Sequence, residues 1–339
     1  MKTILTTGGT GYIGSWVVKD LLEKGYTVRL TVRNKAKTSG YQHLTKIAET
    51  ASGKLEIWEA DLLKEGSYNA AAEGSDAIIH MASPFFLKFK DAQKELIEPA
   101  VNGTINILNA ANASSTVRKV ILTSSVAAVH GDSIDMQELG LSEFTEEHFN
   151  STSTIKHQPY SYSKVTAEKT AWKMADAQNK WTLVVINPSF VMGPPLTLET
   201  KSESIQFMRD MISGKFYTGA PVLEFGFVDV RDVSKAHILA LENPNAKGRH
   251  ILAERTTGFF ELGKVIDQEF KGVYKTPMMK TPKFMLYLIG WMFGLTTKFI
   301  SRNIGYSIKL NNSKSIHELG LQYTPFNVTV RDMILEMKK

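Results

Sequence analysis

The chain has 339 residues, 40 Lys and Arg against 34 Asp and Glu, a formal net charge of +6, no cysteine, and a composition 43% hydrophobic and 22% charged. That length and balance suit one large core or two units sharing one, and they exclude a disulfide framework, thiolate catalysis and cysteine-ligated metal sites. The cations form short clusters, Lys35/Lys37, Lys88/Lys90 and Arg118/Lys119, in different predicted elements, not the single basic face that nucleic-acid binding requires.

The first predicted strand, 2–6, runs into Thr7-Gly8-Gly9-Thr10-Gly11-Tyr12-Ile13-Gly14. A helix follows, with Trp16, Val17, Leu21 and Leu22 at helical spacing. The glycines satisfy both Gly9-x-Gly11-x-x-Gly14 and Gly8-x-x-Gly11-x-x-Gly14. Between a strand and a helix, such a turn lets the backbone approach a pyrophosphate and aims the helix N–H groups at its charge. Gly8, Gly11, Tyr12, Ile13 and Gly14 are therefore candidate dinucleotide contacts. With the strand starting at residue 2, no signal peptide is expected ahead of it, and a cytoplasmic location is expected.

The second strand, 26–32, ends in Arg33-Asn34-Lys35-Ala36-Lys37, three cations and no carboxylate. An acidic residue there bonds the ribose 2′-hydroxyl of NAD, whereas a basic one accommodates the 2′-phosphate of NADP. Arg33 can offer its planar fork and Lys37 a point charge, so NADP(H) is the expected cofactor.

Further strands are predicted at 54–58, 76–80, 119–123 and 181–186, separated by segments long enough for helices. This is the alternation of an α/β fold with a doubly wound parallel sheet. Ligands in such sheets bind at the carboxyl ends of strands. Asp61 and Leu62 follow the third strand, Ala82 and Ser83 the fourth, and Phe85, Phe86 and Phe89 are expected to border the cleft. Thr123, Ser124 and Ser125 close the fifth, and Asn187, Pro188 and Ser189 follow the sixth. The expected division is 1–190 for dinucleotide binding and 191–339 mainly for a substrate lobe, with a strand running into a helix near 225–245 returning to the first unit.

In Tyr160-Ser161-Tyr162-Ser163-Lys164, Tyr160 and Lys164 are four residues apart and share a helix face. A tyrosine with an ordinary pKa near 10 needs a nearby cation to exchange protons at neutral pH, and Lys164 can supply it while bonding a nicotinamide ribose. A serine beside them would polarise a carbonyl oxygen as charge develops on it. Ser125 is preferred, with Ser124 the adjacent alternative. His80 reads as strand-end scaffold, and His130 as either a substrate contact or a polar loop residue. Phe207, Met208 and Met211 have core spacing, Asp229 and Asp232 read as caps or ion pairs, and no spacing suggests a metal. The most hydrophobic stretch, 284–295, is too short and too glycine-interrupted to span a bilayer, which takes about 20 apolar residues. It is expected to be a buried helix, with a membrane-associated helix as the alternative.

Taken together, Thr7 to Gly14, His80-Met81-Ala82-Ser83-Pro84, Leu122-Thr123-Ser124-Ser125, Tyr160 to Lys164, Asn187-Pro188-Ser189-Phe190-Val191-Met192-Gly193-Pro194 and Val228-Asp229-Val230-Arg231-Asp232 resemble the extended short-chain dehydrogenases. Within them the chain is most similar to the dihydroflavonol-4-reductase and cinnamoyl-CoA reductase group, which includes microbial aldehyde and ketone reductases. The resemblance spans nearly the whole chain. It implies a Rossmann-fold domain, NADPH with Arg33 at the 2′-phosphate, a Ser/Tyr/Lys triad at Ser125, Tyr160 and Lys164, and reduction of an aldehyde, ketone or dihydroflavonol-like carbonyl. Cinnamoyl-CoA reductases carry Asn-Trp-Tyr-Cys-Tyr-Gly-Lys where this chain has His157-Gln158-Pro159-Tyr160-Ser161-Tyr162-Ser163-Lys164, which weighs against a CoA thioester. His130 stands near the position where plant dihydroflavonol reductases read the flavonoid ring. Epimerases, dehydratases and 3β-hydroxysteroid dehydrogenases share the machinery; for the first two, which hold NAD, the basic Arg33 argues against them. A non-catalytic cofactor sensor of the same fold is the remaining alternative, and such sensors often lack the Tyr or Lys present here.

Overall fold

The computed structural model describes residues 2–83, 90–199 and 202–338; Phe85, Phe86 and Phe89 of the expected cleft border, together with Pro84 and Lys88, lie outside the described residues. In chain order the strands are β1 Thr3–Thr7, β2 Thr27–Val32, β3 Lys54–Glu59, β4 Ala77–His80, β5 Lys119–Thr123, β6 Thr182–Pro188, β7 Phe190–Met192, β8 Ala220–Pro221, β9 Glu224–Asp229, β10 Gly248–Leu252, β11 Arg255–Gly258 and β12 Lys280–Thr281. Seven of these form one parallel sheet in the order β10-β6-β5-β4-β1-β2-β3. The chain builds outward from β1 to β3, then crosses to β4 and builds the other way. The order therefore reverses between β1 and β4, where a crevice opens at the carboxyl ends.

Successive strand residues point to opposite faces, and the apolar runs feed both. Ile4, Ile79, Ile121, Val184 and Ile186 pack on one side with Val17 and Leu21 of the helix Tyr12–Glu23 and with Val233 and Ala236 of the helix Val230–Glu242. Leu5, Ile78, Val120 and Val185 pack on the other with Leu108 and Ala111 of the helix Glu98–Ala113 and with Ala171 of the helix Pro159–Asp176.

Three elements beyond residue 190 sit with this sheet, among them the helix Ser313–Leu319, which packs on β10 and on the helix Val230–Glu242. The helix Val230–Glu242 lies against Tyr12–Glu23, where the Ser234 hydroxyl donates to Asp20 Oδ2 at 2.6 Å, and β10 adds the edge strand beside β6. The remaining C-terminal residues build a second lobe. In it β9 pairs with β7 in parallel and with β11 in antiparallel register. Its phenylalanines form a connected cluster, with Phe207 5.3 Å from Phe190 and 4.7 Å from Phe259 between ring centroids. Met208 and Met211 are fully buried beneath them, the core role that their spacing suggested.

The structure corrects two expectations. The sixth strand continues through Pro188, so Asn187 is a strand residue and not the start of the following loop. The stretch 284–295 is not a buried helix. It folds as the short helix Lys283–Ile289 and a 3₁₀ turn Gly290–Phe293, most of whose apolar side chains are exposed while Leu286 alone is fully buried with Leu223, Ile300 and Ile304. The helix ends at Gly290 and the turn at Gly294, leaving pieces too short to present a broad face to the core.

Candidate active site

The carboxyl ends of β1, β4, β5 and β6 and the second lobe enclose a cleft of about 450 Å³. On its first wall, Gly8 adopts φ +69, and a Cβ there would come within 2.6 Å of the Ala82 nitrogen. A Cβ on Gly14 would come within 2.1 Å of the Gly8 carbonyl oxygen. Only glycine allows this close stacking of turn, helix and β4 end. The following helix starts at Tyr12 with no side-chain cap and no acidic residue in its first turn. Its leading N–H groups therefore face a wall formed by Gly11, Tyr12, Ile13 and Gly14, the donor set that suits a pyrophosphate. The Tyr12 hydroxyl does not serve that wall: it donates to the Gly193 carbonyl at 2.6 Å and ties the turn to the second lobe.

Below the turn, the Thr7 hydroxyl bonds His80 Nδ1 at 2.6 Å and accepts the Ala82 N–H at 3.2 Å. Burial, assisted by the Lys164 charge, pushes the His80 pKa down to about 3, so the ring is neutral. That is the scaffold role read from the sequence. Ser83 and Thr123 line the cleft, with Thr123 Oγ1 2.6 Å from His237 Nε2.

Geometry separates the two serines. Ser124 is buried, and its hydroxyl donates to Glu168 Oε2 at 2.5 Å. Ser125 accepts the Ala127 N–H at 3.1 Å as the cap of the turn Val126–Ala128, and it lines the cleft together with Tyr160, whose phenol pKa its hydroxyl lowers. Tyr160 enters from the first turn of Pro159–Asp176, which is set by Gln158 in the left-handed region (φ 55) and by Pro159 at the helix start. Lys164, one turn on, places Nζ 5.7 Å from the centre of the Tyr160 ring. Burial raises the Tyr160 pKa above its ordinary value, and the Ser125 hydroxyl opposes that. Burial lowers the Lys164 pKa to about 8, opposed by Glu168. The expected lysine-induced lowering of the phenol does not emerge here: desolvation dominates both groups.

Other expected contacts fall in three places. Pro188 and Ser189 line the cleft, and the buried Ser189 hydroxyl has no hydrogen-bond partner among the described residues. Asn187 lies behind the wall, with Nδ2 donating to the Ser125 carbonyl at 3.1 Å and to Glu168 Oε2 at 2.8 Å. Arg33 and Lys37 are exposed beyond β2, and Asp61 Oδ1 caps the Leu63 N–H at 2.8 Å. Leu62 packs on Gly103, whose added Cβ would meet it at 2.4 Å. His130 is on the cleft wall, stacked on Phe144 at 4.9 Å, and its Nδ1 has no hydrogen-bond partner among the described residues. Burial lowers its pKa to about 4. Asp229 and Asp232 act as expected: Asp229 caps Arg231 N–H at 2.8 Å and pairs with its guanidinium at 2.7 Å, while Asp232 accepts the Thr324 N–H at 2.6 Å. Among the described residues no group of three His, Asp or Glu could hold a metal ion.

Sequence reading missed the residues that hold the site. Asn106 ties down the loop after β3 by donating to the Leu62 and Lys64 carbonyls at 3.1 and 2.8 Å. Glu168 receives Ser124, Asn187 and, at 2.5 Å, Arg249 Nε. Asp132 receives Gln158 Nε2 at 2.5 Å and His157 Nε2 at 2.9 Å. Of these, Glu168 left a signal, since it stands four residues beyond Lys164 on the same helix.

Residues 4–253 match the model of the NAD dependent epimerase/dehydratase family. The chain belongs to that family. Over its whole length it is 34% identical to cinnamoyl-CoA reductase CAD2 of Medicago truncatula, covering 96% of that protein. It is 33% identical to dihydroflavonol 4-reductase of Gerbera hybrida over 80% of this chain and 74% of that one. The crystal structure of Gre2 from Candida albicans in complex with NADPH superposes with a TM-score of 0.80 at 30% identity, covering 100% of this chain and 99% of that chain. The seven-stranded sheet is thus a Rossmann-type sheet, and the chain is an oxidoreductase of the reductase kind.

Proposed function

We propose that the protein is an NADPH-dependent reductase that converts an aldehyde, a ketone or a dihydroflavonol-like carbonyl to the alcohol, with oxidation of the alcohol as the reverse. The observation that carries this reading is that Ser125, Tyr160 and Lys164, with Lys164 Nζ 5.7 Å from the centre of the Tyr160 ring, line the same cleft as the glycine turn. Gly8, Gly11, Tyr12, Ile13 and Gly14 would hold the pyrophosphate, and Ala82, Ser83, Thr123, Pro188 and Ser189 the nicotinamide half, with Asn187 supporting them from behind. Arg33 and Lys37, at a strand end without a carboxylate, favour the 2′-phosphate, and Asp61 and Leu62 would border the adenine. The NADPH in the Gre2 structure supports the same choice.

When bound, the nicotinamide supplies a hydride to the carbonyl carbon. Tyr160, kept protonated by its burial, donates its phenolic proton to the oxygen as negative charge gathers there. The Ser125 hydroxyl orients that oxygen. Lys164 supplies positive charge below the phenol and a donor for the ribose. Phe190, Leu223, Phe225, Phe299 and Ile308 on the far wall make the substrate half of the cleft apolar, which suits an aromatic or aliphatic carbonyl.

The test is the loss of nicotinamide absorbance with a panel of aromatic and aliphatic aldehydes, ketones and a dihydroflavonol. Turnover is expected to fall about 10²–10⁴-fold in Tyr160→Phe with cofactor affinity retained. Near-parental turnover in that variant with cofactor still bound would refute the role of Tyr160.

A further inference from the structure

The helix Lys283–Ile289 and the turn Gly290–Phe293 expose Phe284 (67%), Leu288 (70%), Trp291 (75%), Met292 (65%) and Phe293 (56%). Ten of the eighteen large apolar residues exposed among the described ones fall between Met278 and Phe293, so this is a patch and not scattered surface. It is convex. Leu286 is the helix's single buried anchor, and an added Cβ at Gly294 (φ +74) would meet nothing within 4 Å. An exposed apolar patch with a tryptophan and two phenylalanines suits the headgroup boundary of a bilayer, where aromatic rings and short apolar segments bury without spanning.

From residue 270 to residue 317 the sequence has eight Lys and Arg and no Asp or Glu. The cations of this segment are only partly neutralised: Lys280, Arg302, Lys309 and Lys314 pair with Glu261, Asp132, Glu143 and Glu318, whereas Lys271, Lys275, Lys283 and Lys298 have no carboxylate partner among the described residues. Lys275 and Lys298 are exposed, and neither is in an ion pair among the described residues. No helix of the described residues is long and apolar enough to cross a membrane. An apolar patch with unpaired lysines in the same segment and no span fits a segment lying in a lipid headgroup region, aromatics at the interface and lysines over anionic lipid.

We propose that this face docks on an anionic bilayer surface. The support is shared with the cleft: the helix Thr297–Asn303 buries Ile300 against Leu286 and presents Phe299 and Asn303 to the cleft wall. Docking therefore sets the substrate half of the cleft next to lipid.

Trp291 is the single exposed tryptophan of five, so its emission reports the contact. The full chain is mixed with vesicles of phosphatidylglycerol and phosphatidylcholine, and with phosphatidylcholine alone, then floated and measured by fluorescence. Expected are flotation with the anionic vesicles only, a blue shift on binding, and release as salt is raised. Trp291→Ser should weaken binding about tenfold, and Lys298→Ala about fivefold at low salt, with the circular dichroism spectrum unchanged in both. Failure to float with anionic vesicles overturns the proposal, as does equal binding to neutral ones. So does a dimer in light scattering that Trp291→Ser splits, with Trp291 emission already blue without lipid, since a second copy would then cover the face.

Discussion

Removing the carboxylate of Glu168 should damage the protein twice, in stability and in the proton chemistry next to it. The side chain is fully buried and accepts from Arg249 Nε at 2.5 Å, Ser124 Oγ at 2.5 Å and Asn187 Nδ2 at 2.8 Å. In Glu168→Ala, Arg249 keeps the Glu146 carbonyl at 2.8 Å and the Phe149 ring at 4.0 Å but loses its charge partner while its side chain is only 5% exposed. Breaking a buried pair from one side costs about 3–5 kcal/mol. The two orphaned donors add to that while relaxation subtracts, so a loss of about 4 kcal/mol is expected. Glu168→Gln keeps the volume and one acceptor and should lose about half as much, roughly 2 kcal/mol. Urea unfolding with the slope held constant measures both. The second effect follows because Glu168 supports the Lys164 cation against burial: without it the Lys164 pKa falls, and the alkaline limb of kcat/KM moves to lower pH. A Glu168→Ala protein within about 0.5 kcal/mol of the parent, the range of ordinary surface changes, would refute the argument that this carboxylate holds the site.

In the parent itself, the Lys164 pKa of about 8 predicts that kcat/KM declines above about pH 8 as the cation is lost. The sign for stability is opposite. Between about 8 and the ordinary 10.5 the unfolded chain holds the proton that the folded one has released, so stability from this group rises with pH across that window; urea midpoints in parent and Lys164→Met should diverge accordingly. Gly14→Ala puts a Cβ 2.1 Å from one backbone atom and 2.7 Å from another, whereas Gly11→Ala meets its nearest neighbour at 3.2 Å. Dinucleotide affinity by titration should therefore fall at least about tenfold in the first and much less in the second, and equal affinities would contradict the cradle. Arg33→Asp, at an exposed position, should leave the urea midpoint unchanged and lower the NADPH-to-NADH ratio of kcat/KM by about tenfold or more. A retained preference would remove Arg33 from the 2′-phosphate.

What could be read in advance was whatever is local. The glycine turn, the strand–helix alternation and Tyr160/Lys164 each reside within a few consecutive residues, where spacing alone fixes which groups share a face. Ser125 against Ser124 could not be read, because both follow β5 and only the approach of the helix Pro159–Asp176 decides which faces the phenol. Asn187 was placed one step too far along, since nothing in Asn-Pro-Ser announces that β6 continues to pair with β10 through Pro188. The stretch 284–295 failed for a different reason: hydrophobicity records what a side chain would gain from burial, not whether the fold supplies a neighbour. Glu168–Arg249 and Asp132–Arg302 span 81 and 170 residues, and no local pattern encodes such pairs.

Those two carboxylates also explain how a helix between two lobes keeps its register. Asp132, fully buried, receives His157 and Gln158 just before the first turn of Pro159–Asp176, and from the second lobe it receives Asn303 Nδ2 at 2.7 Å and Arg302 Nε at 2.5 Å. Burial works against its charge, yet the Asn303, His157 and Arg302 hydrogen bonds hold its pKa below the ordinary value. Glu168 fixes the same helix two turns beyond Tyr160, to β5 and β6 through Ser124 and Asn187 and to β10 through Arg249. Tyr160 and Lys164 lie between these anchors, one reaching into the second lobe and the other into the main sheet. Their position is therefore set by the relation between the lobes and not by the helix alone. Because Asn303 belongs to the cleft wall and to the helix beneath the exposed apolar turn, a shift at that turn would reach Tyr160 through Asp132 and Gln158, two hydrogen-bonded steps away.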